Sequence, residues 1–179
     1  SRCAYCDFYS TVEDAEMREK YVGALCNEIE GRARFLSGGP LGSVYLGGGT
    51  PSQFSPWQLE RVFDVIGRNF AISQDAEITI EVNPDDVTPD FLEGLALLPI
   101  NRVSMGIQTL DDGLLRLLNR RHTAEQARRA VEWLLKAGYQ NLSVDLIYGL
   151  PHQRLQDWAR DVAEALSMPV KHLSAYALS

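Results

Sequence analysis

The sequence predicts an α/β fold with a parallel sheet. Strand-like and helix-like segments alternate along its 179 residues, and four of the five strand-like segments end in polar or glycine-rich residues. Alternating units of this kind form either an open doubly wound sheet or a complete or partial barrel, with helices outside the sheet. In a barrel the carboxyl ends of the strands converge on one face, so the polar segments would surround a single site.

Five segments rich in Val, Ile, Leu and Tyr are the predicted strands, at residues 43–46, 77–82, 102–107, 142–147 and 172–177. The polar segments of the first four are Gly-Gly-Gly-Thr-Pro-Ser at 47–52, Glu-Val-Asn-Pro at 81–84, Gln108-Thr109, and Asp145 with Gly-Leu-Pro at 149–151. The three glycines either let backbone approach a ligand or only make a tight turn. They match neither the dinucleotide-binding pattern nor a P-loop. Asp145 interrupts an apolar run, so we expect a partner or ligand for its carboxylate.

Helix caps lie between the predicted strands. Residues 55–58 and 123–126 read Ser-Pro-Trp-Gln and Thr-Ala-Glu-Gln and fit capping boxes, and Thr88 precedes a proline at a first helical position. Gly138 follows an amphipathic segment, where a C-terminal cap is expected. An earlier segment has an apolar stripe that includes Cys26, which is therefore predicted to be a core thiol.

Composition limits the classes of function. With 45% apolar residues the chain can bury the core of one domain, taken as residues 1–179. The formal charge of -7 leaves no basic stripe for a phosphate backbone, so no nucleic-acid partner is expected. No segment approaches the roughly 20 apolar residues that cross a bilayer. Three cysteines are too few for a disulfide scaffold, and we expect a cytoplasmic protein.

Cys3 and Cys6 form a Cys-x-x-Cys pair close to the first residue. Such a pair is a zinc half-site, a redox dithiol or part of an iron-sulfur ligand set, and its spacing does not choose among them. His122, His152 and His172 have no regular metal-ligand spacing. The choice therefore depends on the other motifs of the chain.

Several motifs follow one another in a distinctive order. They are Cys-x-x-Cys-Asp-Phe, Tyr-Leu-Gly-Gly-Gly-Thr-Pro-Ser, Glu-Val-Asn-Pro, Arg-Val-Ser-Met-Gly-Ile-Gln-Thr, Leu-Asn-Arg and Asp-Leu-Ile-Tyr-Gly-Leu-Pro. Over nearly the whole chain this series resembles radical S-adenosylmethionine (SAM) enzymes. Within them it resembles the oxygen-independent coproporphyrinogen III oxidase-like group, most closely its heme-chaperone branch, HemW. The resemblance implies a partial (β/α)6 TIM-like barrel of the radical SAM type, lacking its first strand in this chain.

The resemblance also implies a [4Fe-4S] cluster. Cys3 and Cys6 match the last two ligands of the family pattern Cys-x3-Cys-x2-Cys, so the first cysteine would lie upstream of Ser1, outside the chain. In the family SAM chelates the remaining iron through its amino and carboxylate groups. The implied chemistry is one-electron reduction of the cluster, then cleavage of SAM to methionine and a 5'-deoxyadenosyl radical.

SAM-binding residues are implied by the same motifs. Gly48, Gly49 and Thr50 resemble the segment that receives the amino group of SAM. The further SAM-binding positions implied are Tyr5, Glu81, Gln108, Arg120 and Asp145. These residue types suit the ligand, because carboxylates can accept hydrogen bonds from ribose hydroxyls or an ammonium group and Arg can pair with a carboxylate.

Two functions are compatible with the resemblance. The first is a heme chaperone that binds heme or a porphyrin and passes heme to an acceptor protein, with an electron donor for the cluster. The alternative is a dehydrogenase that decarboxylates coproporphyrinogen III to protoporphyrinogen IX. Such dehydrogenases usually have a further cysteine where Phe8 stands, which favours the chaperone. A heme-ligating His motif and a C-terminal domain would lie beyond Ser179.

Overall fold

The computed structural model describes residues 3–6, 14–35 and 38–178, in which five strands form one sheet. Phe8 lies outside the described residues. The strands are β1 (Leu41–Leu46), β2 (Ile72–Val82), β3 (Arg102–Gln108), β4 (Leu142–Tyr148) and β5 (His172–Ala177). The α-helices are α1 (Ala15–Arg32), α2 (Pro56–Asn69), α3 (Pro89–Leu95), α4 (Asp112–Leu117), α5 (Ala124–Lys136) and α6 (Leu155–Ser167). No helix among these residues is long and apolar enough to span a membrane.

Strand order decides between the two architectures that the sequence leaves open. The order is β1-β2-β3-β4-β5, and every neighbouring pair is parallel. A doubly wound sheet reverses its order at a switch point, whereas a barrel adds each strand beside the previous one. The five strands therefore form half of a barrel, and the predicted α/β partial barrel is confirmed.

The two faces of the sheet differ in polarity because side chains alternate along each strand. One face packs against the helices and forms the main core, with Ile80, Val103, Met105 and Val144 at most 1% exposed. Register places the polar side chains together on the opposite, concave face. They include Tyr45, Glu77, Thr79, Glu81, Arg102, Ser104, Ser143, Asp145, His172 and Ser174. The half-barrel thus has an apolar outer face under helices and a polar inner face.

All five predicted strands are present, but β2 begins earlier than the sequence indicates. Leu41 pairs with Ile72, and Ser43 pairs with Glu77, so the register shifts within this pair. The added residues include Ser73, Gln74 and Asp75, which are polar and therefore do not show a strand pattern in the sequence. β1 pairs with β2 on both sides of this stretch, at Ile72 and at Glu77, and residues 73–76 form the irregularity between the two pairs.

The predicted caps begin helices where expected. Thr123 and Gln126 make both bonds of a capping box at α5, with distances of 3.2 and 2.8 Å between side-chain oxygen and backbone nitrogen. Thr88 accepts a bond from the backbone of Phe91 at the start of α3. Gly138 has φ +98° after α5, and Cys26 is buried in the main core, as predicted. Helices α1, α4 and α6 begin after Asp14, Asp111 and Arg154, which were not predicted as caps.

Candidate functional site

Glu81 is the carboxylate at the end of β2 and is held by two donors. Tyr45 Oη donates to Glu81 Oε1 at 2.7 Å, and the Gly48 backbone N–H donates to Glu81 Oε2 at 3.0 Å. Gly48 has φ +105°, a conformation that favours glycine. A Cβ at Gly47 would lie 2.9 Å from Glu81 Oε1. The glycine segment is therefore needed for close packing against Glu81, and not only for a turn.

Arg120 connects the ends of β2 and β3 to the cysteine segment. Its Nη2 donates to Asn83 Oδ1 at 2.7 Å and to the Gly106 carbonyl at 2.8 Å. Its Nη1 lies 3.5 Å from both Cys3 Sγ and Tyr5 Oη. Its Nε is buried and has no hydrogen-bond partner among residues 3–6, 14–35 and 38–178. A buried N–H without a partner suits a ligand oxygen.

Gln108 ends β3 in an unusual backbone conformation. Its φ is +71°, and the register with β4 shifts between Gly106 and Gln108. A Cβ on Gly106 would lie 2.5 Å from Gln108 Nε2 and 3.7 Å from Arg120 Nη2. The Gln108 amide therefore lies over Gly106, beside the Arg120 guanidinium, in space that only glycine leaves open.

Asp145 lies in the middle of β4, paired with Gly106 of β3 and Ser174 of β5. Burial raises the pKa of the Asp145 carboxyl above its usual range, and the negative charge of Glu81 raises it further. A hydrogen bond from the Ser174 side chain opposes this shift in the pKa of Asp145. Ser174 is thus the polar neighbour of Asp145 on β5, and the nearby charge of Glu81 disfavours ionisation of Asp145.

The cysteine segment packs against the carboxyl end of the sheet. The Ala4 backbone N–H donates to the Leu118 carbonyl at 3.1 Å, and Cys6 N–H donates to the Cys3 carbonyl at 3.3 Å. Tyr5 contacts a small apolar cluster of Leu114, Leu118, Ile147 and Leu150. Burial, partly opposed by Arg120, raises the pKa of Tyr5 to about 12.

The donor set near the cysteines suits the cofactors that the sequence motifs imply. Cys3 and Cys6 are partly exposed thiols in one turn, and thiolates are the usual ligands of iron-sulfur clusters. Within the described ranges no group of three or more His, Cys, Asp or Glu residues could hold a metal ion. The residues present fit such a cluster as two of its ligands, and the unpartnered Arg120 Nε fits an anionic ligand beside them.

Not every residue of the predicted strand-end segments faces this site. Gly49 is exposed and Thr50 is partly buried, immediately before a short helical turn at Pro51–Gln53. Thr109 points elsewhere, because its hydroxyl donates to Asp161 Oδ2 of α6 at 2.6 Å and both residues are at most 1% exposed. Thr109 therefore has a structural role.

Three residues at the site were not selected from the sequence. Tyr45 and Asn83 fix Glu81 and Arg120, respectively, and Gly106 makes room for Gln108. All three belong to motifs quoted from the sequence, which show their positions but not their contacts. Tyr45 of β1 pairs with Thr79 of β2, which lies two residues before Glu81 on the same strand face. Only the pairing of β1 with β2 shows that it reaches the carboxylate.

Curated proteins similar to this chain include several heme chaperones named HemW. The heme chaperone HemW of Lactococcus lactis subsp. lactis is 35% identical over 176 residues, covering 98% of this chain and 45% of the relative. HemW of Synechocystis sp. is 38% identical over 183 residues, covering 99% of this chain and 44% of the relative. The chain therefore spans less than half of the length of these curated relatives.

Solved structures of other proteins share the fold of this chain. Coproporphyrinogen III oxidase (HemN) from Escherichia coli, a radical SAM enzyme, superimposes with a TM-score of 0.90 and 30% identity, covering 100% of this chain and 42% of HemN. Streptococcus suis SuiB bound to SAM, at 14% identity and a TM-score of 0.61, shares the fold over 99% of this chain and 38% of SuiB. The family model of the radical SAM superfamily matches residues 1–165. The chain belongs to the radical SAM superfamily.

Proposed function

We propose that the full-length protein containing this chain is a heme chaperone, which binds heme and transfers it to an acceptor protein. The observation that carries the proposal is the similarity to HemW heme chaperones at 35% and 38% identity over almost the whole chain. Because the chain spans under half of these relatives, the heme-transfer function is assigned to the longer protein. In this proposal residues 1–179 form its radical SAM core, and the longer protein would supply the first cluster cysteine and a C-terminal domain.

The [4Fe-4S] cluster and SAM are the cofactors that membership of the radical SAM superfamily implies. Cys3 and Cys6 are the proposed cluster ligands in this chain. When bound, the cluster and SAM supply one-electron reduction chemistry, while the protein binds and orients them. The segment docks against α4 through the Ala4 backbone bond to Leu118, so Cys3 and Cys6 are held beside Arg120.

SAM is proposed to bind along the carboxyl ends of the strands. Gly48, Gly49 and Thr50 would receive its amino group. The other proposed SAM contacts are Tyr5, Glu81, Gln108, Arg120 and Asp145. The support is chemical, because the open Arg120 Nε can donate to a carboxylate and the Glu81 and Asp145 carboxylates can accept from ribose hydroxyls. The Tyr45 and Gly48 donors keep Glu81 oriented without using all of its lone pairs.

The inner face of the half-barrel is the proposed approach for heme. This face is polar, and in the described part of the chain β1 and β5 each have one strand edge without a paired neighbour. An open half-barrel admits a larger planar molecule than a closed barrel of side chains does. The proposed axial ligand of the heme would belong to a His motif beyond Ser179. The heme acceptor and the electron donor would be separate proteins, and the cytoplasm is the proposed location.

Heme retention by the full-length protein tests this function. After anaerobic iron and sulfide reconstitution, we expect hemin to co-elute with the protein and to pass to apo-acceptor hemoproteins. Cys3→Ser and Cys6→Ser should abolish the absorbance of the cluster, whereas Cys26→Ala, which changes a buried core thiol, should keep it. A full-length protein that does not retain hemin would exclude the chaperone function.

A dehydrogenase is the alternative, and the HemN structure at a TM-score of 0.90 favours considering it. Anaerobic incubation of the reconstituted full-length protein with SAM, a reductant and coproporphyrinogen III distinguishes the two. Protoporphyrinogen IX would establish the dehydrogenase despite Phe8. Its absence from a protein with an intact cluster, together with hemin retention, is the result that we expect. Formation of 5'-deoxyadenosine is measured in parallel as the control for radical chemistry.

A further inference from the structure

Asp86 is a buried carboxylate next to the site, and it accepts hydrogen bonds from three separate segments. Ser52 Oγ donates to Asp86 Oδ2 at 2.6 Å, and the Gln53 amide nitrogen donates to Oδ1. Asn83 Nδ2 donates to Oδ2 at 3.3 Å, and Arg121 Nη2 donates to Oδ1 at 3.3 Å. The Asp86 side chain is only 8% exposed. It therefore joins the loops that follow β1, β2 and α4.

The bond from Asp86 sets the orientation of the Asn83 amide. Because Asn83 Nδ2 donates to Asp86, Asn83 Oδ1 points the other way and accepts from Arg120 Nη2 at 2.7 Å. The opposite orientation would place an NH2 group against the guanidinium, where both groups are donors. A continuous path of hydrogen bonds thus connects the turn after the glycine segment, through Asp86 and Asn83, to Arg120.

We propose that Asp86 is a positioning residue for SAM binding, acting through Asn83 on the Arg120 guanidinium and directly on the turn at Pro51–Gln53. The inference rests on the proposed SAM site, in which Arg120 binds the ligand. A carboxylate suits this position because it accepts from all four donors at once, whereas an amide has one acceptor oxygen and two N–H donors. Asp86→Asn would set its NH2 group against at least one of the present donors.

Asp85 supplies a matched control. Arg121 Nη2 lies 2.8 Å from Asp85 Oδ2 and 3.3 Å from Asp86 Oδ1, so both neighbouring acids pair with the same arginine. The contacts with Ser52, Gln53 and Asn83 belong to Asp86. Asp85→Asn removes the same charge from the adjacent position and leaves the path to Arg120 intact. A general effect of charge on the loop would appear equally in both variants.

The experiment measures the dissociation constant of SAM by anaerobic equilibrium dialysis, with the full-length, cluster-reconstituted protein. We expect Asp86→Asn and Asn83→Ala each to weaken SAM binding roughly tenfold, the loss of one charge-assisted hydrogen bond. The double variant should be no weaker than the single variants, because both changes break one path. Asp85→Asn should stay within about twofold of wild type. The unfolding midpoint and the cluster content are measured for every variant.

A reciprocal exchange separates positioning from general stabilisation. Asn83→Asp alone brings two carboxylates together and should weaken SAM binding. In the combined variant, Asn83→Asp with Asp86→Asn, the new amide at position 86 can donate to the new carboxylate at position 83. The other oxygen of that carboxylate can still accept from Arg120. SAM affinity should then recover by most of the tenfold loss, and so should the effect of SAM on the EPR spectrum of the reduced cluster.

The possible results are distinct. Equal effects of Asp85→Asn and Asp86→Asn, additive losses for Asn83→Ala with Asp86→Asn, or no recovery in the exchange would each show that Asp86 does not position Arg120. Arg120→Lys tests the underlying site separately. If Arg120→Lys weakens SAM binding and the Asp86 and Asn83 variants do not, the positioning role alone is wrong. If Arg120→Lys leaves SAM binding unchanged, Arg120 is not a SAM ligand and both inferences fail.

Discussion

His122 should make the stability of the fold depend on pH below neutrality. Its side chain is buried, Nε2 donates to the Ile107 carbonyl at 3.1 Å, and Nδ1 has no partner in the described part of the chain. Burial, followed by the positive charge of Arg120, lowers the pKa of His122 from 6.5 to about 4. The folded protein therefore keeps this imidazole neutral in a range where the unfolded chain protonates it.

The size of the effect follows from proton linkage. Between pH 6.5 and about 4 the unfolded state binds the additional proton, so the free energy of unfolding falls as the pH is lowered. The slope of the unfolding free energy against pH approaches about 1.4 kcal/mol per pH unit. Over the whole range between the two pKa values the loss of unfolding free energy is about 3 kcal/mol. At and above pH 7 the contribution is constant, because His122 is neutral in both states.

Urea unfolding of the full-length protein between pH 7.5 and 4.5, followed by tryptophan fluorescence, measures this slope. His122→Gln retains a side-chain N–H for the Ile107 carbonyl and removes the titration, so its stability should depend less steeply on pH than that of wild type. His152→Asn removes an exposed histidine at φ +66°, where Asn is tolerated, and should keep the wild-type slope. Parallel pH curves for wild type and His122→Gln would refute the assignment of a buried neutral imidazole.

Two further changes test the site and its support. Gly106→Ala should weaken SAM binding about fivefold, because its Cβ would lie 2.5 Å from Gln108 Nε2 and displace that amide. Gly42→Ala is the control and should not weaken SAM binding, because the space around its Cβ is open. SAM dialysis measures both, and equal affinities would contradict the close packing. Thr109→Val should lower the free energy of unfolding by about 1–3 kcal/mol, because Asp161 loses a buried donor. A loss below about 0.5 kcal/mol in urea unfolding would contradict this role.

The alternation of elements and the local caps were readable without the structure, because they depend on near neighbours in the chain. The bond between Thr123 and Gln126, and the apolar stripe around Cys26, act within a few residues. The predicted start of β2 was wrong because the polar residues 73–75 do not indicate a strand, whereas the non-local pairing of Leu41 with Ile72 extends it. Helix α6 was not identified, since its N-cap is Arg154, a residue type that is not a typical cap.

The sequence by itself determined the family, through an ordered series of motifs, and the residue types from which a site is proposed. Tertiary structure alone decided which of those residues meet. The consecutive strand order chose a half-barrel over a doubly wound sheet, since local patterns are the same in both. Tertiary contacts also separated Gln108, which faces Arg120, from Thr109, which is buried against α6. Asp86 gains its importance only from loops brought together by folding, because hydrogen bonds between distant segments leave no periodic signal in a sequence.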